Sequence, residues 1–412
     1  MVYSQLKNNP FPGIRSFDVG EHHIFFGRER QIGEIIEKLH ERRFISVIGA
    51  SGSGKSSLIR AGVIPELFNL SRKRADSEWL EYVIFRPGDT PIKNLGDALY
   101  DVFKNSDYKF DHTLESINTA LSSSPSGIVN VLSGIKFDRS KKIIIVIDQF
   151  EEIFRYHQAR KDIYSKETIS RFIELILNAR QNSSFKVYIT LIMRSDFIDD
   201  CAEYKLLFDL IKEGNYLVPK MNEEELIKAV TKPILLSNAK ISERLVERLI
   251  SDVNNEQEQL PILQHSLMRT WNFWSSAESF GNPIDIPHYE AIGTVNHALS
   301  IHGEEVFNSL PNERSKQITE KVFKALTELG PDGRGIRRPT TLGEICMLAN
   351  AGEDEVADIA ELFRNDNCAF LMPAPNIQLE HDTVLDISHE SIMRVWVRLK
   401  EWVEEEMKSA QL

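Results

Sequence analysis

Cysteine is scarce: Cys201, Cys346 and Cys368 are the only three in 412 residues, too few and too scattered for a disulfide framework or a zinc site. Long apolar runs are missing too. The strongest one near the middle, Ile143–Ile147, falls far short of the roughly 20 residues that a membrane helix needs. The opening MVYSQLKNNP has no hydrophobic signal core. No internal repeat or low-complexity tract is visible, which excludes solenoids and propellers. Positive charge is in deficit. Lys+Arg number 49 against 61 for Asp+Glu, a net charge of −12, so the chain has no global attraction for nucleic acid or anionic lipid. Apolar residues, at 42%, are plentiful enough to bury a sizeable core. The expectation is a reduced, cytoplasmic, multidomain globular protein without a membrane partner.

Along the chain, apolar runs alternate with helix-length stretches as far as about residue 220. Phe44–Ile48, Glu81–Phe85, Ile143–Ile147, Lys186–Met193 and Asn215–Val218 read as strands, and Arg171–Arg180 as one of the helices between them. Strands separated by helices imply right-handed crossovers and an α/β parallel sheet with helices on both faces. After Met221 helical spacing takes over, in Glu223–Leu236, Ser242–Asp252, Leu260–Trp274 and Arg314–Leu329. Short helices at Leu342–Ala349 and Asp354–Asn365 then precede a strand pair, Phe370–Met372 and Val384–Ile387. Three helices followed by a β-hairpin is the order of a winged helix. A last helix, Ser391–Met407, sets Trp396, Leu399 and Trp402 on one face. The expected domains are 1–220, 221–311 and 312–412.

The string Gly49-Ala-Ser51-Gly52-Ser53-Gly54-Lys55-Ser56 fits G-x-x-x-x-G-K-[ST], directly after one strand and opening a helix. Its glycines allow successive N–H groups to point inward as an anion nest, and the helix N-terminus adds partial positive charge. A Gly/Ser-rich linker is the competing reading, and the strand before and helix after argue against it. Lys55 is expected to reach the β- and γ-phosphates of a nucleotide, with the Ser56 hydroxyl as a magnesium ligand. The run Ile143–Ile147 ends in Asp148, where a second magnesium-shell carboxylate belongs. Glu151 and Glu152 follow on the turn, and one of them is expected to orient or deprotonate the attacking water. Lys55 and Asp148 lie far enough apart in sequence for an additional strand between them. Arg194, at the end of the fourth strand, is placed to face the γ-phosphate, unless a salt bridge to Asp196 or Asp199 occupies it.

Taken together, these strings resemble the novel STAND NTPase family of bacterial signalling ATPases, relatives of the NACHT and NB-ARC proteins. The likeness runs from Asn9-Pro-Phe-Pro-Gly-Ile-Arg-Ser-Phe17 through FFGRE, GASGSGKSSLIRAGVIPEL, FRPGDTP, VIDQFEEIF and MRSDF to LPILQHSL, YEAIG, Arg337-Arg338 and ISHESIMRVW. It implies an ATPase core, a helical lid and a winged helix. By resemblance Phe26, Gly27 and Arg28 become base and ribose contacts, Ser57 closes the phosphate loop, and Pro261 is the lid proline on the base. His389 is similar to the winged-helix histidine that touches the β-phosphate of ADP. Here it stands in Ser-His-Glu, where the NB-ARC relatives carry Met-His-Asp. The family's acidic pair, often Asp-Glu in NACHT relatives, is Glu-Glu at the same spacing.

The resemblance implies a switch, closed with ADP and opened into homo-oligomers with ATP and Mg2+. A shift from 1:99 to 99:1 requires about 5.5 kcal/mol of differential affinity. Effector and sensor modules, usual in such proteins, are expected on longer or separate chains. The alternative is a winged-helix transcription regulator that binds DNA. Glu344, Asp354, Glu355, Asp358, Glu361 and Asp366 against Arg364 alone give the candidate recognition region the wrong sign for phosphates. The cluster Arg334, Arg337 and Arg338 just before it is basic and could serve DNA or nucleotide.

Overall fold

The computed structural model describes residues 9–72, 79–106, 108–159, 166–253, 259–276, 282–329, 335–365 and 367–410. They divide into two compact units, Phe17–Lys220 and a second that joins 9–16 to Met221–Leu412.

The first unit is built on five strands, β1 (Phe44–Gly49), β2 (Trp79–Phe85), β3 (Lys142–Ile147), β4 (Lys186–Arg194) and β5 (Asn215–Leu217). All are parallel, in the order β2-β3-β4-β1-β5. Parallel neighbours have to be reached by crossovers, and helices such as Pro91–Lys104 and Lys166–Gln181 supply them. Successive strand residues serve opposite faces. Ile143, Ile145 and Ile147 enter one core with Phe172 and Leu99, while Ile144 and Val146 enter the other with Ile35 and Leu58. Each such buried side chain contributes roughly 1.5–3 kcal/mol. That two-sided burial is why β3 reads as an unbroken apolar run. The strand expected between Lys55 and Asp148 in sequence is β2, and in the sheet β4 lies between β1 and β3.

The second unit contains two apolar cores. The first draws on helices Glu223–Leu236, Glu243–Val253 and Gln259–Ser276, with Phe11 from the N-terminal segment. Asn222 starts this series: its side chain accepts the Glu225 N–H, and Glu225 returns a carboxylate to the Asn222 N–H. The second core takes in Glu313–Ala325, Leu342–Ala349 and Glu353–Arg364, with Ile14. Helix Thr294–Asn308 serves both, giving Ala298 to one and Leu299 to the other.

Two expected elements are revised. The helix that begins near Arg314 stops at Ala325 instead of Leu329, because Thr327–Leu329 (β6) pairs antiparallel with Gly335–Arg337 (β7). The breakers Pro331-Asp332-Gly333 lie outside the described residues. Three more strands, β8 (Thr340–Thr341), β9 (Leu371–Met372) and β10 (Val384–Ile387), form a sheet in the order β8-β10-β9. The last helix is not continuous. Ser391–Val395 and Val397–Ala410 are separated at Trp396, whose backbone is extended at ψ 104°. The break seats the Trp396 ring on Gly303, where any Cβ would come within 2.6 Å of it. Its indole N–H donates to Glu304 at 2.9 Å, and the Val397 N–H donates to Ser300 Oγ at 3.3 Å. Trp396, Leu399 and Trp402 are all buried. No helix among the described residues is long and apolar enough to cross a membrane.

His265 and His302 form a buried pair, with Nε2 and Nδ1 3.0 Å apart and the Phe370 ring against both. Burial, then the neighbouring His302 and Arg269, holds His265 well below the usual imidazole range. Burial and then Arg269 lower His302 as well. Both are neutral in the folded chain at pH 7, whereas the unfolded chain takes up their protons below about pH 6.5. Stability is therefore complete above that pH and falls as the pH drops, by about 1.4 kcal/mol per pH unit per histidine. Thermal unfolding measured from pH 7.5 down to 5.5 should show the loss, and His302→Asn should flatten it. An identical pH slope in that variant would contradict the assignment.

Candidate functional site

The carboxyl edge of the five-stranded sheet gathers most of the expected site. β1 ends at Gly49, and Gly52 (φ 72°) and Gly54 (φ 83°) turn the chain through left-handed conformations that residues with a Cβ resist. At Gly49 a Cβ would lie 2.8 Å from Ser53 Oγ, so the loop is closed tightly on itself. Lys55, Ser56 and Ser57 form the first turn of the following helix, whose leading N–H groups have no intrahelical acceptor. Ser51, Ser53 and Ser56 are half-buried, and Ser57 Oγ accepts the Phe17 N–H at 3.1 Å. Lys55 does not project outward. Its Nζ donates to the Gly49 and Ala50 carbonyls at 2.9 and 2.8 Å. Burial lowers its pKa, Glu151, Asp148 and Asp196 oppose that shift, and Arg194 adds to it.

Asp148 is 1% exposed at the end of β3. Its Oδ1 accepts from Ser56 Oγ at 2.8 Å, and Arg60 Nη2 donates to Oδ2 at 3.3 Å. Two hard oxygens this close, on a helix start and a strand end, suit Mg2+, which commonly takes one or two protein oxygens and completes its shell with water and phosphate. Among the described residues no group of three or more His, Cys, Asp or Glu could hold a metal alone. After Asp148 the chain reverses through Gln149, a non-glycine residue at φ 58°. That turn separates the two glutamates. Glu151 is buried, accepts the Arg194 N–H at 3.3 Å and has its pKa raised by burial, against the opposing charges of Lys55 and Arg194. Glu152 turns to the end of β2, where its carboxylate accepts the Gly88 N–H at 3.2 Å.

Arg194 stands opposite Gly49 in the β1–β4 register. Its guanidinium forks onto Asp196 at 3.1 and 2.7 Å, so the salt bridge expected as an alternative is present. Arg28 is buried, with Nη1 on the Pro219 carbonyl at 2.9 Å and Nη2 on the Ser53 carbonyl at 3.3 Å. It braces the loop from behind. Gly27 is buried at φ 87°, with its N–H on Glu29, and Phe26 is half-buried. Pro261 and His389 belong to the second unit. Pro261 lies in the first turn of Gln259–Ser276, where a missing N–H is tolerated. The Nδ1 of His389 accepts the Ser391 N–H at 3.1 Å, at the start of the helix Ser391–Val395.

The basic cluster considered for DNA is internally committed. Arg337 is buried against Asp386 at 2.6 Å, Arg338 pairs with Glu344 at 2.7 Å, and Arg334 lies outside the described residues. Arg364 is also buried, on the carbonyls of Pro373, Ala374 and Ile377. Exposed carboxylates of Glu353, Asp354, Glu355, Asp358 and Glu361 remain, and Asp366 is outside the described residues. Arg60 was not anticipated from the sequence. Its spacing four residues after Ser56 was the available signal, since that places both side chains on one helix face.

A parallel sheet with a glycine nest after β1, a helix starting at Lys55 and a buried aspartate one strand removed defines a P-loop ATPase by class. Residues 10–412 match the family described as novel STAND NTPase 1, and the chain belongs to that family. No curated protein matches it. Among solved structures, it is similar to the Aeropyrum pernix ORC2 protein in its ADPNP–ADP complexes, at 10% identity and a TM-score of 0.48, covering 95% of this chain and 96% of that one. The Aeropyrum pernix ORC1 protein in complex with DNA gives 14%, 0.47, 94% and 95% on the same measures. Cdc6p from Pyrobaculum aerophilum gives 12%, 0.41, 92% and 94%.

The Arg28 brace yields a prediction. Arg28→Ala leaves two carbonyls unpaired behind the loop and should destabilise the protein by roughly 2–3 kcal/mol. Chemical denaturation would measure this. A wild-type midpoint would show that Arg28 does not brace the loop.

Proposed function

We propose that this chain is a nucleotide-operated signalling switch that binds ATP and ADP with Mg2+ and hydrolyses ATP slowly. The observation that carries the reading is the bond between Ser56 and Asp148, with Glu151 buried beside the same loop. Gly49, Ser51, Gly52, Ser53, Gly54 and Ser57 wrap the phosphates. Lys55 leaves the loop carbonyls for the β- and γ-phosphate oxygens, which replace two weak acceptors with strong ones. Ser56 and Asp148 hold the magnesium, which neutralises charge on the β- and γ-phosphates when bound. Glu151, rather than Glu152, receives the proton of the attacking water: it is buried within the field of Lys55 and Arg194, while Glu152 turns away to Gly88 at the end of β2. Arg194 trades its bond to Asp196 for the charge that develops on the γ-phosphate.

The switch itself rests on family membership. On that reading Phe26 and Gly27 contact base and ribose, Arg28 supports them through the loop carbonyls it holds, Pro261 packs on the base, and His389 reads the β-phosphate of ADP. Residues 221–311 act as lid and 312–412 as winged helix, in keeping with the two cores of that unit. ATP opens the chain into homo-oligomers that engage effector and sensor partners. A cytoplasmic setting suits three buried, unpaired cysteines.

Lys55→Ala should abolish nucleotide binding, measured by titration with a fluorescent ADP analogue. Glu151→Gln should keep binding and lower turnover about a hundredfold, against less than about tenfold for Glu152→Gln. The reverse order would assign the base to Glu152. With ATP and Mg2+, Glu151→Gln should also elute as oligomers on sizing, where wild type with ADP elutes as a monomer. Equal elution would count against the switch.

A further inference from the structure

The helix after the phosphate loop is irregular. Between Lys55–Ser57 and Ile64–Arg72, residues Leu58–Val63 form a π-helical turn. Leu58, Ile59, Ala61, Gly62 and Val63 are buried, and Arg60 alone in the turn is not. The wide turn is held by close packing: a Cβ at Gly62 would come 2.8 Å from Ile32 and 3.3 Å from Phe25. Such turns recur at functional sites, because the widened backbone re-aims a side chain. Here Arg60 is aimed at the sheet edge, where Nη2 lies 3.3 Å from Asp148 Oδ2, while Nη1 is 3.9 Å from the exposed Asp18. Arg60 Nε is buried and has no partner among the described residues.

A carboxylate as buried as Asp148 has to be compensated. Ser56 supplies one neutral hydrogen bond, Arg60 supplies the positive charge in direct contact, and Lys55 adds a weaker attraction. Resting on the nucleotide reading above, we infer that Arg60 is a resident counter-ion that stands in for the metal at Asp148. It thereby sets how strongly nucleotide binding depends on Mg2+. With Arg60 present, a metal-free diphosphate meets a site whose aspartate is already neutralised. Without it, the same diphosphate faces a negative charge that only the more distant Lys55 opposes, and binding leans on the divalent ion. Arg60 is a positioning residue in this account and touches no reacting atom.

The test is titration of the nucleotide-stripped 412-residue chain with a fluorescent ADP analogue, once in Mg2+ and once in EDTA. Wild type should weaken by less than about fivefold on removal of the metal, and Arg60→Gln by at least about tenfold more. Arg60→Lys, which keeps the charge, should stay near wild type. The double variant Arg60→Gln/Asp148→Asn should regain binding in EDTA, a rescue that a purely structural role would not give. Equal ratios in Arg60→Gln and wild type, or no rescue, would overturn the inference. Should Arg60→Gln fail to fold, a wild-type loss of more than about a hundredfold in EDTA would overturn it on its own. Absence of binding by wild type in both conditions would instead overturn the nucleotide reading, and this inference with it.

Discussion

A carboxylate 1% exposed at the end of a buried strand is a large electrostatic liability, and the sheet edge of the first unit is organised around meeting it. Asp148 needs a hydroxyl donor and a positive charge, so the helix after the glycine nest must begin with Ser56 facing it and deliver Arg60 one turn later. Arg60 lies within the widened turn Leu58–Val63. Ser56 in turn is placed by the left-handed glycines that start the helix, and Arg28 braces those from behind. One buried charge thus accounts for a loop, a helix irregularity and a brace far away in sequence.

The same edge sorts its remaining charges by partner. Glu151 and Glu152 are adjacent in sequence, yet the left-handed turn at Gln149 sends one to Arg194 and the other to Gly88. Lys55 and Arg194 are both satisfied within the protein, on loop carbonyls and on Asp196. The cations are therefore held in place by bonds that a polyphosphate would outcompete. In the second unit the charged groups do structural work instead. Arg337 and Arg364 are buried on strand and loop acceptors.

Unbroken apolar runs made the strands of the first sheet legible, because both faces of β1, β3 and β4 are covered. Helix Glu223–Leu236 was legible to the residue, since Asn222 and Glu225 form a local capping box. What escaped was set by distant partners. Nothing near Trp396 in sequence announces that Gly303 and Glu304 will break the helix there. The β6–β7 pairing was hidden because Thr327–Leu329 continues an apolar helical pattern until Gly335–Arg337 captures it. At the site, the residue types were readable from the glycine-rich string and Asp148. That Glu151 and Glu152 turn to different partners was not, because it depends on one backbone angle.

If the sheet edge is a nucleotide site compensated from within, the protein should keep its ligand through purification. The most direct measurement is to denature the purified chain and identify what it releases by chromatography. The account predicts an adenine nucleotide, chiefly ADP, in near one-to-one ratio to protein. A chain that releases none, and takes up none when offered ADP or ATP with Mg2+, would contradict it.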